Sequence, residues 1–416
     1  MKAFMIGVST AAHQVEGDNK NSDFWQIENM KNTRFEEPSL KSVDHYNRYR
    51  EDIDLIKNAG LNAYRFGIEW ARIEPIKGEY SIEEINHYRE VLKYCINNEI
   101  TPIVTMHHFS SPKWLISENG WENEKVIEWF TNYCEFVIKE LGEYLEYICT
   151  INEANMGLQI ANKIAKLTAN KEGQIQVGLS LKRLNDEDEK RELLEVFGVD
   201  KANTFLAPRS KESDEIVFKA HLSARKAMKK IKSDLKVGIT LSLHDFQSVD
   251  GGEDNALKEW DIEFGHYIQY IKGDDFFGLQ NYTRRVYNAD GIVEHPLDEK
   301  KKTQMGYEYY PQALSNVIRK VSQSIDIPII ITENGIATSD DKERQEFIKE
   351  ALDGVKKCIE DDINILGYMH WSLLDNFEWQ KGYKYTFGLV EVDRKTFKRI
   401  PKASLNYLGT FKRYFN

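Results

Sequence analysis

Short apolar runs alternate along this chain with longer segments whose apolar residues recur at helical spacing. That rhythm restricts the chain to βα units laid on a parallel sheet. The apolar runs fall at residues 3–8, 63–66, 102–106, 147–151, 237–241, 276–279, 327–331 and 363–369. Eight strands are the number that closes a (β/α)8 barrel, so the expected fold class is α/β, a TIM barrel. Between the runs, Tyr49, Ile53 and Ile56 mark one helix, with Gly60 as the glycine just past its end. Val126, Phe130, Tyr133, Val137 and Leu141 mark a second, Ala220, Ala224, Met228 and Ile231 a third, and Phe347, Ala351 and Val355 a fourth. These stripes are read as core facing the sheet.

No Pro-rich linker, internal repeat or low-complexity tract interrupts the 416 residues, which suits one barrel domain over 1–416 with extended βα loops. One stretch breaks the rhythm. Residues 162–215 are densely charged, with an unbroken run DEDEKRE at 186–192. Two readings stand: a solvated pair of surface helices, or a rim over the far end of a substrate.

Charge narrows the partners. A net charge of −11 leaves no basic excess for nucleic acid or for an anionic membrane surface. No run approaches a membrane span. The N-terminus, MKAFMIGVST, lacks the pattern of a signal peptide, so cytoplasm is the expected compartment. The four cysteines, Cys95, Cys134, Cys149 and Cys358, form no C-x-x-C pair and are read as buried free thiols.

In such a barrel the chemistry lies at the C-terminal strand ends. Two carboxylates stand there. The run Cys149-Thr150-Ile151 leads into Asn152-Glu153, and Ile329-Ile330-Ile331 leads through Thr332 into Glu333-Asn334-Gly335. Either glutamate alone could cap a following helix. As a pair on strands four and seven, they face each other across the barrel mouth. Glycoside hydrolysis needs two carboxylates flanking the scissile bond, with different proton affinities at one pH. Trp371, Phe377, Trp379, Tyr383, Tyr385 and Phe387 surround Glu378 near the C-terminus, an aromatic and acidic set suited to the C–H faces and hydroxyls of a sugar. Asn152 is placed to bond a sugar hydroxyl. The expected substrate is a small glycoside or oligosaccharide, with no cofactor and no metal.

These residues resemble glycoside hydrolase family one over nearly the whole chain. Residues 7–17 (GVSTAAHQVEG) are similar to the N-terminal signature of the family, 64–73 (YRFGIEWARI) to its second-strand motif, and 371–379 (WSLLDNFEW) to its C-terminal motif. The resemblance implies the β configuration, a small β-glycoside or oligosaccharide cleaved by a retaining β-glycosidase, with Glu333 as nucleophile and Glu153 as acid/base. It further implies Gln14, His108, Glu378 and Trp379 as sugar contacts, Trp371 as the platform, and Arg65 and Tyr282 beside the nucleophile, with Phe387 in support. For a retaining enzyme the two carboxyl groups are expected roughly 5–5.5 Å apart. Four positions depart from the family pattern. Ala154 stands where proline usually follows the acid/base, which suggests a looser loop. Phe109 replaces a frequent tryptophan, Gln280 an asparagine, and Thr386 an arginine.

Three other readings were weighed. A phospho-β-glycosidase carries serine where this chain has Glu378, whose charge would repel a phosphate. A non-catalytic sugar-binding relative would lack one of the two glutamates. A metal-dependent hydrolase would need clustered ligands, but adjacent His107 and His108 point to opposite faces of a strand.

Overall fold

The computed structural model describes residues 3–170, 187–293 and 302–415. Eight strand segments form the centre: β1 (Met5–Ser9), β2 (Ala63–Gly67), β3 (Thr101–His107), β4 (Tyr147–Ile151), β5 in two pieces (Lys236–Gly238 and Thr240–Ser242), β6 (Phe277–Gln280), β7 (Ile329–Asn334) and β8 (Ile365–Trp371). All pair in parallel, each with its sequence neighbours, and β8 returns to β1. The two ends of the hydrogen-bonded series are the two pieces of β5. The ring is therefore closed, a (β/α)8 barrel. β5 breaks at Ile239, whose N–H bonds the Asp274 carboxylate instead of a neighbouring strand.

Every expected strand is present. β7 and β8 run further into polar sequence than the apolar runs indicated, so Glu333 and Trp371 belong to strands rather than to the turns after them. Apolar patterning marks a strand only while its inner face is dry; at the barrel mouth the ladder continues with polar side chains turned inward. The structure also contains short strands in the loops that periodicity did not mark: Asp245–Ser248, Arg284–Asn288 and Gly291–Ile292 in one sheet, Val390–Val392 and Arg399–Pro401 in another.

The helices pack as their stripes require. Tyr49, Ile53 and Ile56 are buried on His45–Asn58, and Gly60 follows at φ 80°. Val126, Phe130, Tyr133, Val137 and Leu141 are buried on Val126–Leu141, and Phe347, Ala351 and Val355 on Asp341–Glu360. Ala220, Ala224 and Met228 are buried on Lys211–Ile231, but Ile231 is 39% exposed. It is the last helical residue, past the edge of the sheet its stripe covers. The barrel thus separates a large core between strands and helices from a smaller apolar cluster of Met5, Ala63, Ile103, Tyr147, Cys149, Phe276, Ile330 and Met369. All four cysteines are buried and free.

Part of the charged excursion, residues 171–186 with Asp186, lies outside the described residues. The rest is more than a solvated surface. Helix Glu187–Phe197 buries Leu193 and Phe197 against Met30 and Ile116. Its charges are also engaged: Arg34 donates to Glu189 at 2.7 Å, and Asn32 to Glu192 at 3.1 Å.

Candidate active site

The C-terminal strand ends form a pocket of about 370 Å3, its open mouth included, lined by Gln14, His108, Phe109, Asn152, Glu153, Tyr282, Tyr307, Glu333, Trp371, Glu378, Trp379 and Phe387. Ten of these twelve are residues the sequence nominated; Arg65 lies directly behind them.

Glu333 is held on both carboxylate oxygens. Arg65 Nη1 donates to Oε1 at 2.6 Å and the Tyr282 hydroxyl to Oε2 at 2.6 Å. With both oxygens engaged in this way, a helix-capping role is excluded for it. Burial raises the affinity of Glu333 for a proton, and the Arg65 charge and Tyr282 bond oppose that rise. The net direction is upward, and the Arg65 and Tyr282 bonds fix where the carboxyl group points. Arg65 is fully buried, and its other nitrogen Nη2 donates to Asn152 Oδ1 at 2.5 Å.

Asn152 Oδ1 also accepts from Gln280 Nε2 at 2.7 Å and Thr240 Oγ1 at 3.3 Å. Three donors on one oxygen fix which way the amide points. Its Nδ2 is then directed to His108 Nε2 at 3.1 Å. Burial and Arg65 hold the His108 ring well below its ordinary pKa, so it is neutral and Nε2 accepts.

Glu153 follows Asn152 at the end of β4, 5% exposed, with φ 42°. Among the described residues no cation bonds it as Arg65 bonds Glu333. Burial pushes its carboxyl well above the usual carboxylate range, and the Glu333 charge adds to this, while a Ser242 hydrogen bond opposes. The two carboxyl groups therefore differ in the sense that acid and nucleophile roles require.

The closed end of the cavity is built from the N- and C-terminal motifs together. Gln14 Nε2 donates to Phe377 O at 2.7 Å, to Asn376 Oδ1 at 3.2 Å and to Glu378 Oε2 at 3.4 Å. Its acceptor Oε1 has no protein partner among the described residues, and neither has His108 Nδ1. A buried acceptor and a buried donor left over in one cavity suit a ligand with hydroxyls. Trp371 lies near-parallel to His108, with ring centroids 5.7 Å apart, and packs with Phe387, Tyr282 and Tyr385. Trp379 is gripped between His13, at 5.8 Å, and Phe24, at 5.1 Å. His107 points away from the cavity, bonds Ser111 and packs on Trp121 and Phe205, a shell histidine as expected. No cluster of metal ligands occurs among the described residues.

The departures have physical readings. Gln280 reaches Asn152 directly. Phe109 lines the cavity against Trp379, centroids 5.3 Å apart. Thr386 bonds Gln304 Oε1 at 3.0 Å. The looser loop expected at Ala154 is not found: its N–H donates to Thr240 O at 3.0 Å and its carbonyl accepts from Arg209 at 2.6 Å. Proline could not have made the first bond. Sequence reasoning missed Tyr307, on the long loop between β6 and β7, where no periodicity or motif marks it. Thr240 was missed because its role is visible only through Asn152, Glu153 and Ala154, which the fold brings to it.

Comparison with known proteins covers the whole chain. The family model described as Glycosyl hydrolase family 1 matches residues 1–270 and 262–414. A β-glucosidase of Agrobacterium sp. is 30% identical over 441 residues, covering 96% of this chain and 92% of its own. Among solved structures, beta-glycosidase BGL167 aligns with a TM-score of 0.89 at 41% identity, over 99% of this chain and 96% of that one. A beta-glucosidase designated 1317 aligns with a TM-score of 0.88 at 36% identity, over 99% and 98%.

Proposed function

The chain belongs to glycosyl hydrolase family 1 and is a retaining β-glycosidase; from that premise we propose Glu333 as its nucleophile, Glu153 as its acid/base, and terminal non-reducing β-D-glucosyl or β-D-galactosyl groups as its substrates. The observation that carries the residue roles is the unequal support of the two carboxyls. Glu333 is paired to Arg65 and Tyr282, and Glu153 is raised by burial and by Glu333.

In the first step the Glu333 carboxylate attacks the anomeric carbon while Glu153 gives its proton to the departing glycosidic oxygen. Tyr282 and Arg65 keep Glu333 ionised and aimed. Once Glu333 is esterified its charge is gone, and with it one of the causes that hold Glu153 high. Glu153, now ionised, takes a proton from water, which attacks the same carbon and releases Glu333. Gln14, His108, Asn152, Glu378 and Trp379 would hold the hydroxyls of the sugar, with its apolar face on Trp371.

The relatives named above are called β-glucosidase or β-glycosidase, which supports the glycosyl class. Glu378 at the closed end disfavours a phosphorylated sugar. The whole chain is proposed to work as one domain, since one core cluster runs from Phe4 to Phe411. Four free buried thiols fit a reducing cytoplasm, and no helix among the described residues is long and apolar enough to cross a membrane.

A 2-deoxy-2-fluoro-β-glucoside with a good leaving group tests the central assignment. It should stall at the glycosyl-enzyme, and peptide mass spectrometry should find the added mass on the peptide containing Glu333. An adduct on any other residue would overturn the assignment.

A further inference from the structure

Glu153 sits at φ 42°, a left-handed conformation that a non-glycine residue holds only when its surroundings impose it. The residue after it is alanine, whose φ is free where that of a proline would be fixed. Something else must set this turn. On one side β5 supplies two bonds: Thr240 Oγ1 accepts from the Glu153 N–H at 3.0 Å, and Thr240 O accepts from the Ala154 N–H at 3.0 Å. Further along the turn, the Met156 N–H donates to Glu153 O at 2.9 Å and the Asn155 amide donates to Ser242 O and Glu263 O. The Ala154 carbonyl between them is held by Arg209, at the C-terminal end of the charged excursion.

Arg209 is 3% exposed. Its Nη2 donates to Ala154 O at 2.6 Å, its Nη1 to Phe205 O at 2.8 Å, and its Nε to Asp214 Oδ1 at 3.3 Å. The guanidinium lies 4.5 Å over the Phe205 ring, and the Tyr267 hydroxyl holds the other Asp214 oxygen at 2.7 Å. The Arg209 backbone N–H donates to Gly157 O at 3.2 Å. Gly157 has no Cβ, and one added there would collide with the guanidinium carbon.

We infer that Arg209 is a positioning residue for the acid/base: it clamps the carbonyl that follows Glu153 and so sets where the Glu153 carboxyl points. The inference rests on the proposed role of Glu153. Asp214 balances the Arg209 charge, so the effect passes through the backbone and not through a field on the proton. A planar fork serves three acceptors at once; a lysine ammonium in its place would serve fewer, with less fixed direction. General-acid catalysis needs the proton within hydrogen-bond reach of the leaving oxygen, and a displacement of about 1 Å is enough to lose on the order of 10²-fold.

A clamp on a proton donor has a signature that plain destabilisation lacks: the loss depends on how much the leaving group needs the proton. The test is kcat/KM over a series of β-glucosides, from dinitrophenyl through weakly acidic phenols to alkyl aglycones, with the melting temperature of each variant recorded. Arg209→Ala should lose about 10–100-fold on alkyl and weakly acidic aglycones and no more than about 3-fold on dinitrophenyl. Arg209→Lys should fall between Arg209→Ala and the parent. Gly157→Ala, which displaces the guanidinium while keeping it, should give the same slope. If Arg209→Ala fails to fold, the slopes of Arg209→Lys and Gly157→Ala decide. A loss equal across all leaving groups, or none, overturns the inference. Glu153→Ala is run beside them: a steep slope there with flat slopes in the others sinks only the clamp, whereas a flat slope for Glu153→Ala sinks the acid/base assignment itself.

Discussion

The eight strands of the barrel hold two interiors of opposite character and equal closure. Towards one end, Met5, Ala63, Ile103, Tyr147, Cys149, Phe276, Ile330 and Met369 pack as an apolar cluster, which meets the polar end where the Cys149 thiol touches Arg65. Towards the other, Arg65, Asn152, Thr240, Gln280 and Glu333 are each 3% exposed or less and bonded to one another. Apolar packing is indifferent to direction, so the first interior contributes stability and specifies little else. A buried polar lattice is directional throughout. Each member orients the next, and removing one leaves its neighbours unpaired in a place water cannot reach. The barrel therefore stabilises itself at one end and aims charges at the other, and substitutions at the two ends should fail in different ways.

The largest effect belongs to the polar end. Glu333→Ala should lower kcat by on the order of 10⁴-fold or more, because the other carboxyls of the cavity, Glu153 and Glu378, lack the Arg65 and Tyr282 bonds that aim the attacking group. Azide should restore turnover of an activated substrate and yield the α-glycosyl azide, since the anion enters from the side the nucleophile occupied. Glu153→Ala with azide should yield the β product. Product NMR decides; the same anomer from both variants would break the assignment of roles.

The dry end should respond in stability alone. Phe276 is fully buried there against Tyr147, with ring centroids 6.1 Å apart. Phe276→Ala should lower unfolding free energy by about 3–5 kcal/mol, with kcat/KM per folded molecule within about 2-fold of the parent. Denaturant titration beside active-site-normalised kinetics checks both halves. A large fall in kcat/KM with stability retained would show that the plug also aims the lattice, and the contrast between the two ends would fail.

Glu378→Ser comes next. A buried carboxylate that takes hydroxyl bonds should be worth about 10–100-fold in kcat/KM for plain glycosides. With the anion gone, 6-phosphoglycosides should gain relative to plain ones. An unchanged ratio of kcat/KM for the two substrates would remove Glu378 from the closed end.

How much of this was legible in the sequence follows the same division. The strands could be read because dry faces leave apolar runs, and the runs stop where the inner face turns polar, which is why the ends of β7 and β8 were drawn short. Gln14, Trp371, Glu378 and Trp379 sit in strings whose local spelling is distinctive. Gln280, Thr240 and Arg209 act through partners far along the chain, for example 87 residues between Thr240 and Glu153. Such pairings leave no local pattern. Tyr307 belongs to this second kind. The expectation of a loose loop at Ala154 failed for the same reason. The missing proline was visible, but the Thr240 carbonyl and the Arg209 fork that replace its constraint come from elsewhere in the fold.

The smallest predicted effect separates the two causes that raise Glu153. Burial is the larger, and the Glu333 charge is the next. Burial is common to both ends of the barrel, whereas the second cause exists only where two carboxylates share a cavity. Glu333→Gln removes the charge, and its amide oxygen remains available to Arg65 or Tyr282. The pKa of Glu153, followed by 13C NMR of labelled glutamate, should then fall, because ionising it no longer places two anions together. It should stop above the ordinary glutamate value, because the cavity remains dry. The sign fixes the kinetics of the parent enzyme: with its pKa raised, Glu153 keeps its proton to higher pH, and kcat/KM should decline only as pH rises through that value. No change in Glu333→Gln would mean the carboxyls do not sense each other, and the switch of Glu153 from acid to base would need another origin. A fall all the way to the ordinary value would mean that burial contributes nothing, and that the polar end is not closed to water as the dry end is.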